Sequence, residues 1–561
     1  MLLWVDLHPW VHFFVVTVGL GCAGFIVLRS IYRGGSRPHS DISWALLIFF
    51  LLFLGRGPSL FVTRQINTDE GLQLAGAATL RHDPLFWRSV FGTTTGPLDF
   101  YALLPVGTLA GIDTFFSARL TGLILLGGTL IFTHQILVRA FGRTVARIAT
   151  LPTLSFEAFS IHPDFLHYST ELLPLCLLSA SICYGLARYS ATGIASSWKE
   201  PLSGFLLSCA PFAKLQAAPL AGFVGFALAI AAWRVPPAGV PRYQPFLLLL
   251  CGASIPFLVA TITLLVSPDP EGAWTSLVSA NIAYVQNGFG ATLQTLARLF
   301  SRLQEPGTLF LPWLGGVGGL SLVLLFWVRK ADQPSRFLLI GATILFIVSI
   351  ACIATPRRPF PHYMQLAVVP LTLVFGISLG ITHRHFARTS VRFCRLICWA
   401  TAILPLVGIL LDRGLAPQPL LRRNPAEPSP SISRVAGYIQ HYVDPGEPLA
   451  VWGWNAEIYV ETGTRQATRH AMTDLEILIN PYSTLFRDRY VKDFAKSLPP
   501  VFLDASFVRN NIEIRDMAHD VSLPELGTIV NREYELAKTI DEVRIFVRKD
   551  RFATRAPPSK T

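Results

Sequence analysis

Apolar runs of about twenty residues recur over the first 411 positions, with short basic segments between them. A helix needs about 20 apolar residues to cross a hydrocarbon layer of ~30 Å. The pattern therefore predicts spans near 10–32, 42–63, 118–138, 146–161, 171–189, 202–213, 217–233, 244–266, 308–328, 337–355, 364–382 and 394–411. The 202–213 run is short and is followed by Lys214, which predicts a broken or partial crossing. The run at 98–112 follows Pro97 and contains Pro105; it reads as a helix lying in the membrane interface, because skipping it lets the basic loops alternate sides. After 411 the pattern changes. A Pro-rich linker (412–430) leads to a predicted helix at 431–443, a strand at 449–454, a helix from 456, a strand at 501–504 and a hairpin of 532–539 with 542–548. The fold class is mainly α: a polytopic transmembrane bundle of about twelve spans with a small C-terminal α/β soluble domain. The segments are an additional N-terminal span with its loop (1–41), a membrane domain (42–411) with outward loops 64–117, 267–307 and 356–363, the linker, and the soluble domain (431–561).

Composition agrees with that division. Of 561 residues, 52% are hydrophobic and 15% charged, against roughly 25% charged in soluble proteins. A net charge of +12 would suit nucleic acid, but the Lys and Arg punctuate the loops between apolar runs instead of forming one folded patch, so that partner is excluded. Arg29, Arg139, Arg143, Arg188, Arg234, Lys330 and Arg384 all fall on one side, the cytoplasmic one by the positive-inside rule. The N-terminus and the soluble domain then face outward. The first run is too long for a signal-peptide core and lacks a small-residue cleavage site. Eight cysteines lie almost wholly within apolar runs, with no CxxC and no Cys/His metal spacing, so no disulfide framework is expected.

The outward segments hold the polar chemistry. Asn67-Thr68-Asp69-Glu70-Gly71 directly follows a span. It reads either as a helix cap or as an acidic pair in which Asp69 accepts a proton from an attacking hydroxyl while Glu70 tunes it or holds the acceptor. His162-Pro163-Asp164 places Asp164 at the outer mouth of the bundle, with His167, Tyr168 and Glu171 close by. The i, i+5 spacing of His162 and His167 is poor for joint metal ligation; a divalent metal is possible but not indicated. Lys214 and Gln216 sit between two apolar stretches. Lys214 either snorkels to the interface or meets an anion. Arg357 and Arg358, followed by His362 and Tyr363, put positive charge on the outer side against the orientation rule. Such a set suits a lipid-linked phosphate or an anionic headgroup.

Together these residues resemble the glycosyltransferase superfamily with the C-type fold, nearest to bacterial relatives of the protein O-mannosyltransferases and of the aminoarabinose transferase of lipid A. The resemblance rests on Asp69-Glu70 leading into Gly71–Ala78, on Gly96-Pro97-Leu98-Asp99-Phe100-Tyr101, on Ala118-Arg119-Leu120, on Asp164 after a proline, and on Arg358 to Tyr363 before a late span. It covers about residues 42–411. It implies a GT-C membrane fold in the bacterial cytoplasmic (inner) membrane and transfer of a sugar from a polyprenyl phosphate carrier to an envelope glycan, lipid or protein. It further implies Asp69, Glu70 and Asp164 as acidic site residues. Lys214, Arg357, Arg358, His362 and Tyr363 would hold the donor phosphate, and His162, His167 and Gln216 would contact acceptor or sugar. The sequence departs from many relatives at Thr94-Thr95-Gly96-Pro97, where they carry a Lys-Pro-Pro motif.

In the soluble domain no GxGxxG or Walker pattern occurs, and no catalysis is assigned to it. Trp452, Trp454 and Tyr459 read as core or as sugar-stacking rings, and Arg465 and Arg469 as acceptor contacts or as contacts to the membrane domain. The rival functions are a transporter or flippase, which would need ionisable residues such as Glu157 along a path, and a ligase moving whole glycans.

Overall fold

The computed structural model describes residues 9–33, 40–92, 94–109, 114–187, 198–234, 240–285, 289–305, 307–326, 331–386, 430–477, 481–506 and 517–555, with positions 236, 396, 399 and 400 besides. The chain forms two compact units. One comprises Met1–Phe61, Gly122–Val259 and Asn287–Arg423; the other comprises Val62–Thr121, Ala260–Gln286 and Asn424–Thr561.

The first unit is helical. Every predicted span on described residues is a helix, from Pro9–Arg33 and Ser40–Leu60 to Gln333–Ala354 and Gln365–Phe386. The predicted span at 394–411 and the linker lie almost wholly outside the described residues. Six described helices are long and apolar enough to cross a membrane: Asp41–Leu60, Phe115–Phe141, Leu215–Arg234, Tyr243–Leu265, Gln333–Ala354 and Pro361–His385. Others among the twelve predicted spans are shorter helices, including Leu172–Leu186 and Phe310–Leu325. Lys199–Ala213 ends at Lys214, whose backbone is extended, and a single 3-10 turn precedes Ala218–Arg234; this is the broken crossing the sequence predicts. The Pro361–His385 stretch is the buried centre of the bundle, whereas Tyr243–Leu265 exposes Leu247, Leu250, Ile255, Phe257 and Leu258. An exposed apolar surface of that extent is stable facing lipid, and the chain is a multi-pass membrane protein.

Without a hydrophobic drive between helices in lipid, packing relies on small residues and polar links. A Cβ at Gly55 would lie 1.9 Å from the Ala158 carbonyl oxygen, so only glycine allows the Ser40–Leu60 and Arg143–Phe159 helices to approach as they do. One residue on, buried Arg56 joins the same pair: its Nη2 donates to Glu157 Oε2 at 2.7 Å, its Nε to the Glu157 carbonyl at 2.8 Å and its Nη1 to the Phe165 carbonyl at 2.6 Å. Glu157 is thus neutralised within the bundle, a structural link and not a step on a polar path.

The second unit is an α/β assembly. Its five-stranded sheet contains β1 (Pro448–Gly453), β2 (Arg465–Gln466), β3 (Val501–Ala505), β4 (Tyr534–Ile540) and β5 (Val543–Arg548), in the order β2-β1-β3-β5-β4. β1 is parallel to β2 and β3, and β5 is antiparallel to β3 and β4. The predicted strands and terminal hairpin are present. Strands buried on both faces are apolar nearly throughout. Leu449 and Val451 point into one core with Val501, Leu503, Ile545 and Val547, while Ala450 and Trp452 point into the other with Phe502, Tyr490 and Phe494. The first core also takes Leu72 and Ala75 from the Thr68–His82 helix. That helix is bonded in as well, since Thr79 Oγ1 accepts from the Gln466 N–H at 3.0 Å.

Candidate functional site

At one end of the helical unit, segments far apart in sequence bring polar groups together. Pro163 opens a single helical turn, Pro163–Leu166, whose cap is His162. The turn is tied down from outside: the Ile161 and His162 N–H groups both donate to the Gly307 carbonyl, at 3.0 and 3.3 Å, and His162 Nε2 pairs with Glu305 Oε2 at 3.1 Å. Asp164 Oδ2 lies 3.5 Å from His362 Nδ1. The His362 ring meets His167 edge-on with centroids 5.3 Å apart, stacks on Phe360 and abuts Tyr363. Burial alone would raise the Asp164 carboxyl, but His362 beside it, with His167 and His162 further off, holds it below the usual carboxylate range. Asp164 is therefore an anion at neutral pH.

Lys214 is buried at the break between helices. Its Nζ donates to Thr170 Oγ1 at 2.6 Å and to Glu171 Oε1, and sits 4.6 Å from the centroid of the Tyr363 ring. The ammonium thus has an anionic neighbour, aromatic support and a rigid seat. Arg357 has φ of 58°, a strained conformation for a residue with a Cβ. It is held there partly by Thr295 Oγ1, which donates to its carbonyl at 3.3 Å. Its Nε and Nη1 are buried and make no hydrogen bond. Arg358 is exposed. Gln216 Nε2 donates to the Cys352 carbonyl at 2.7 Å, which links two helices.

In the second unit, two adjacent carboxylates have different surroundings. Asn67 caps the Thr68–His82 helix, its side chain accepting from the Asp69 N–H at 3.0 Å. Glu70 is fully buried and gripped by Arg119, whose Nε meets Oε1 and whose Nη2 meets Oε2, both at 2.8 Å. Arg119 also donates to the Val62 and Arg64 carbonyls, each at 2.6 Å. A bidentate buried pair of this kind fixes position. The Asp69 carboxylate is half-buried and has no hydrogen-bond partner among the described residues, so it can accept a proton from an incoming group.

Residues to which the sequence assigns no role prove to be partners of those it does. Arg119, Glu171 and Arg56 each complete a buried ion pair. Arg119 stands in the quoted Ala118-Arg119-Leu120, and an arginine opening an apolar span is the signal that could have found it. Trp452 and Tyr459 are core residues. Arg469 pairs with Asp493 at 2.8 Å and Arg489 with Asp269 at 2.7 Å, so the 260–286 segment is tied to the Ser483–Ser497 helix. Among the described residues one group, Asp504, His519 and Asp520, has the composition of a metal site. The Arg544 guanidinium already lies against it, with Nη2 at 2.5 Å from Asp504 Oδ2 and 2.9 Å from Asp520 Oδ1. These residues do not fit a metal: the cation is supplied by the chain.

No family model matches the sequence, and no curated protein matches it. Solved structures do match. The apo crystal structure of ArnT from Cupriavidus metallidurans superposes with a TM-score of 0.56 at 12% identity, over 92% of this chain and all of that one. The same protein bound to undecaprenyl phosphate gives 0.55 at 14% identity, over 92% and 98%. The chain has the GT-C-type fold of that protein over 92% of its length.

Proposed function

We propose that the protein is a membrane glycosyltransferase that moves a sugar from a polyprenyl phosphate carrier to an envelope acceptor at the outer face of the bacterial inner membrane. About twelve crossings would place the sheet-bearing unit outside. The observation that carries the reading is the half-buried Arg357, held in a strained backbone conformation with its Nε and Nη1 buried and unpaired. A rigid, unsatisfied fork donor suits a phosphate. Lys214, paired with Glu171 and packed on Tyr363, and His362, beside Asp164, add further donors in the helical unit. One of the matching ArnT structures is bound to undecaprenyl phosphate, which supports the same ligand class here.

In the reaction, an acceptor hydroxyl attacks the anomeric carbon and its proton passes to the Asp69 carboxylate. The bond from the anomeric carbon to the phosphate oxygen breaks, and polyprenyl phosphate leaves with the electron pair. Fixed cations lower the barrier by holding the charge that develops on the leaving phosphate. Asp164, an anion beside His362, orients the imidazole. Glu70 and Arg119 position the helix that carries Asp69. The Arg56–Glu157 pair weighs against transport, because it neutralises the acid such a path would use.

The test is sugar transfer from a panel of undecaprenyl-phosphate-linked hexoses and pentoses to envelope extract, with purified protein in nanodiscs. Asp69→Asn should reduce transfer about 10³-fold, within the range for loss of a general base. Full activity in that variant, or no transfer by the unmodified protein from any carrier-linked sugar, would reject the reading.

A further inference from the structure

Gln73 is a polar side chain that neither the fold nor the mechanism above uses. It is 0% exposed, and neither Oε1 nor Nε2 has a hydrogen-bond partner. A primary amide brings two donor hydrogens and an acceptor oxygen, and interiors rarely leave all of them unmet. Its place on the Thr68–His82 helix gives the reason. Asp69, Gln73 and Leu80 recur at i, i+4 and i+11, which is one face at 3.6 residues per turn. Leu72, Ala75 and Thr79 lie on a different face and anchor the helix to the sheet.

The Gln73 face has a defined composition. At its N-terminal end stands the Asp69 carboxylate. Towards its C-terminal end it packs on aromatic surface: a Cβ at Gly76 would lie 2.4 Å from the Phe100 ring, and Leu80 clusters with Phe86, Trp87, Val90 and Phe100. Gln73 is therefore an amide between a carboxylate and an aromatic wall. A sugar ring offers vicinal hydroxyls, each able to donate and accept, and an apolar face of C–H groups. An amide matches the first and aromatic surface the second.

We propose that Gln73 hydrogen-bonds the hydroxyls of the donor sugar beside Asp69 and sets which sugar is transferred. This rests on the reading given under the previous heading, and the donor is chosen over the acceptor because a sugar is present on the donor whatever the acceptor is. The amide is a specificity contact; it moves no proton.

The experiment measures binding of bare undecaprenyl phosphate and of the carrier-linked sugar panel to full-length protein in nanodiscs, for the unmodified chain and for Gln73→Leu. The unmodified chain should bind at least one glycosylated carrier about 10-fold more tightly than the bare carrier. Gln73→Leu should lose that preference, keep its affinity for the bare carrier and melt no lower, since it removes an unpaired buried amide. Two results would overturn the proposal while leaving the donor-phosphate reading intact: a preference retained in Gln73→Leu, or no preference in the unmodified chain. If no polyprenyl phosphate binds at all, the donor reading falls first and this contact with it. Should Gln73→Leu fold poorly, the near-isosteric Gln73→Glu decides by the same comparison: it keeps the shape, removes the donors and should lose the preference.

Discussion

The polar end of the helical unit that holds Asp164 and the Asp504 cluster of the sheet unit use the same residue types to opposite ends. Around Asp504 both carboxylate oxygens are answered, although Arg544 Nε is not. Oδ1 accepts from the Ser506 N–H and Oγ; Oδ2 accepts from the His519 N–H, faces His519 Nδ1 at 2.7 Å and is bonded by Arg544. Burial would raise this carboxyl, but those partners hold it down to about 2. In the helical unit the Asp164 Oδ2 to His362 Nδ1 distance is 3.5 Å, the backbone at Arg357 is strained, and Arg357 Nε and Nη1 are buried, unmet donors. A completed network fixes a structure; an incomplete one, kept in place by strain, is what a ligand can finish. Residue identity alone does not separate the two.

The contrast can be tested from its strong end downwards. Asp504→Ala removes one member of a buried charge network and should lower local stability by about 3–5 kcal/mol. Hydrogen exchange of the β1 and β3 amides would read this, with transfer per folded molecule little changed. A smaller effect depends on pH. Burial first, and then Glu476, raise the Asp474 carboxyl to about 6, with His470 opposing. The folded state then binds a proton more tightly than the unfolded one. The sheet unit should lose stability as pH rises from about 4 to about 6, by at most about 3 kcal/mol at 1.36 kcal/mol per unit. Asp474→Asn should flatten that profile. Arg357→Ala should reduce transfer about 10²-fold while changing the melting temperature by no more than a degree or two, because the lost group has no hydrogen-bond partner among the described residues. A large drop in melting temperature would make Arg357 structural and erase the contrast. The smallest change belongs to Asp520→Asn, which removes the more exposed arm of the Arg544 contact and should alter stability by under about 1 kcal/mol.

What the sequence made legible follows from the range of the signal. Strand alternation is local, so β1, β3 and the β4–β5 hairpin are readable, whereas the two-residue β2 is too short to show a period. The Ser483–Ser497 helix shows a weak apolar period, because charged residues interrupt it throughout. The N-terminal cap at Asn67 is local and readable. That Leu72 belongs to a core completed by Val543 and Ile545 is not readable, since nothing near either residue in sequence specifies the other. The same holds for the acids. Asp69 and Glu70 look equivalent as a pair, and only Arg119 distinguishes them. Lys214 reads as a lone cation until Glu171 is found beside it.

The placement of Leu72 and Ala75 in the sheet core also bears on biogenesis. Synthesis runs from the N-terminus, so the Thr68–His82 helix emerges hundreds of residues before β5, the strand that closes its core. Until β5 docks, that helix can lie against Phe86, Val90 and Phe100 through Leu80, but its Leu72 and Ala75 face lacks the core that buries it. The face of the helix that carries Leu72 and Ala75 is therefore fixed only after β5 has been made, and a chain lacking β5 would hold Asp69 on a helix anchored on one side alone.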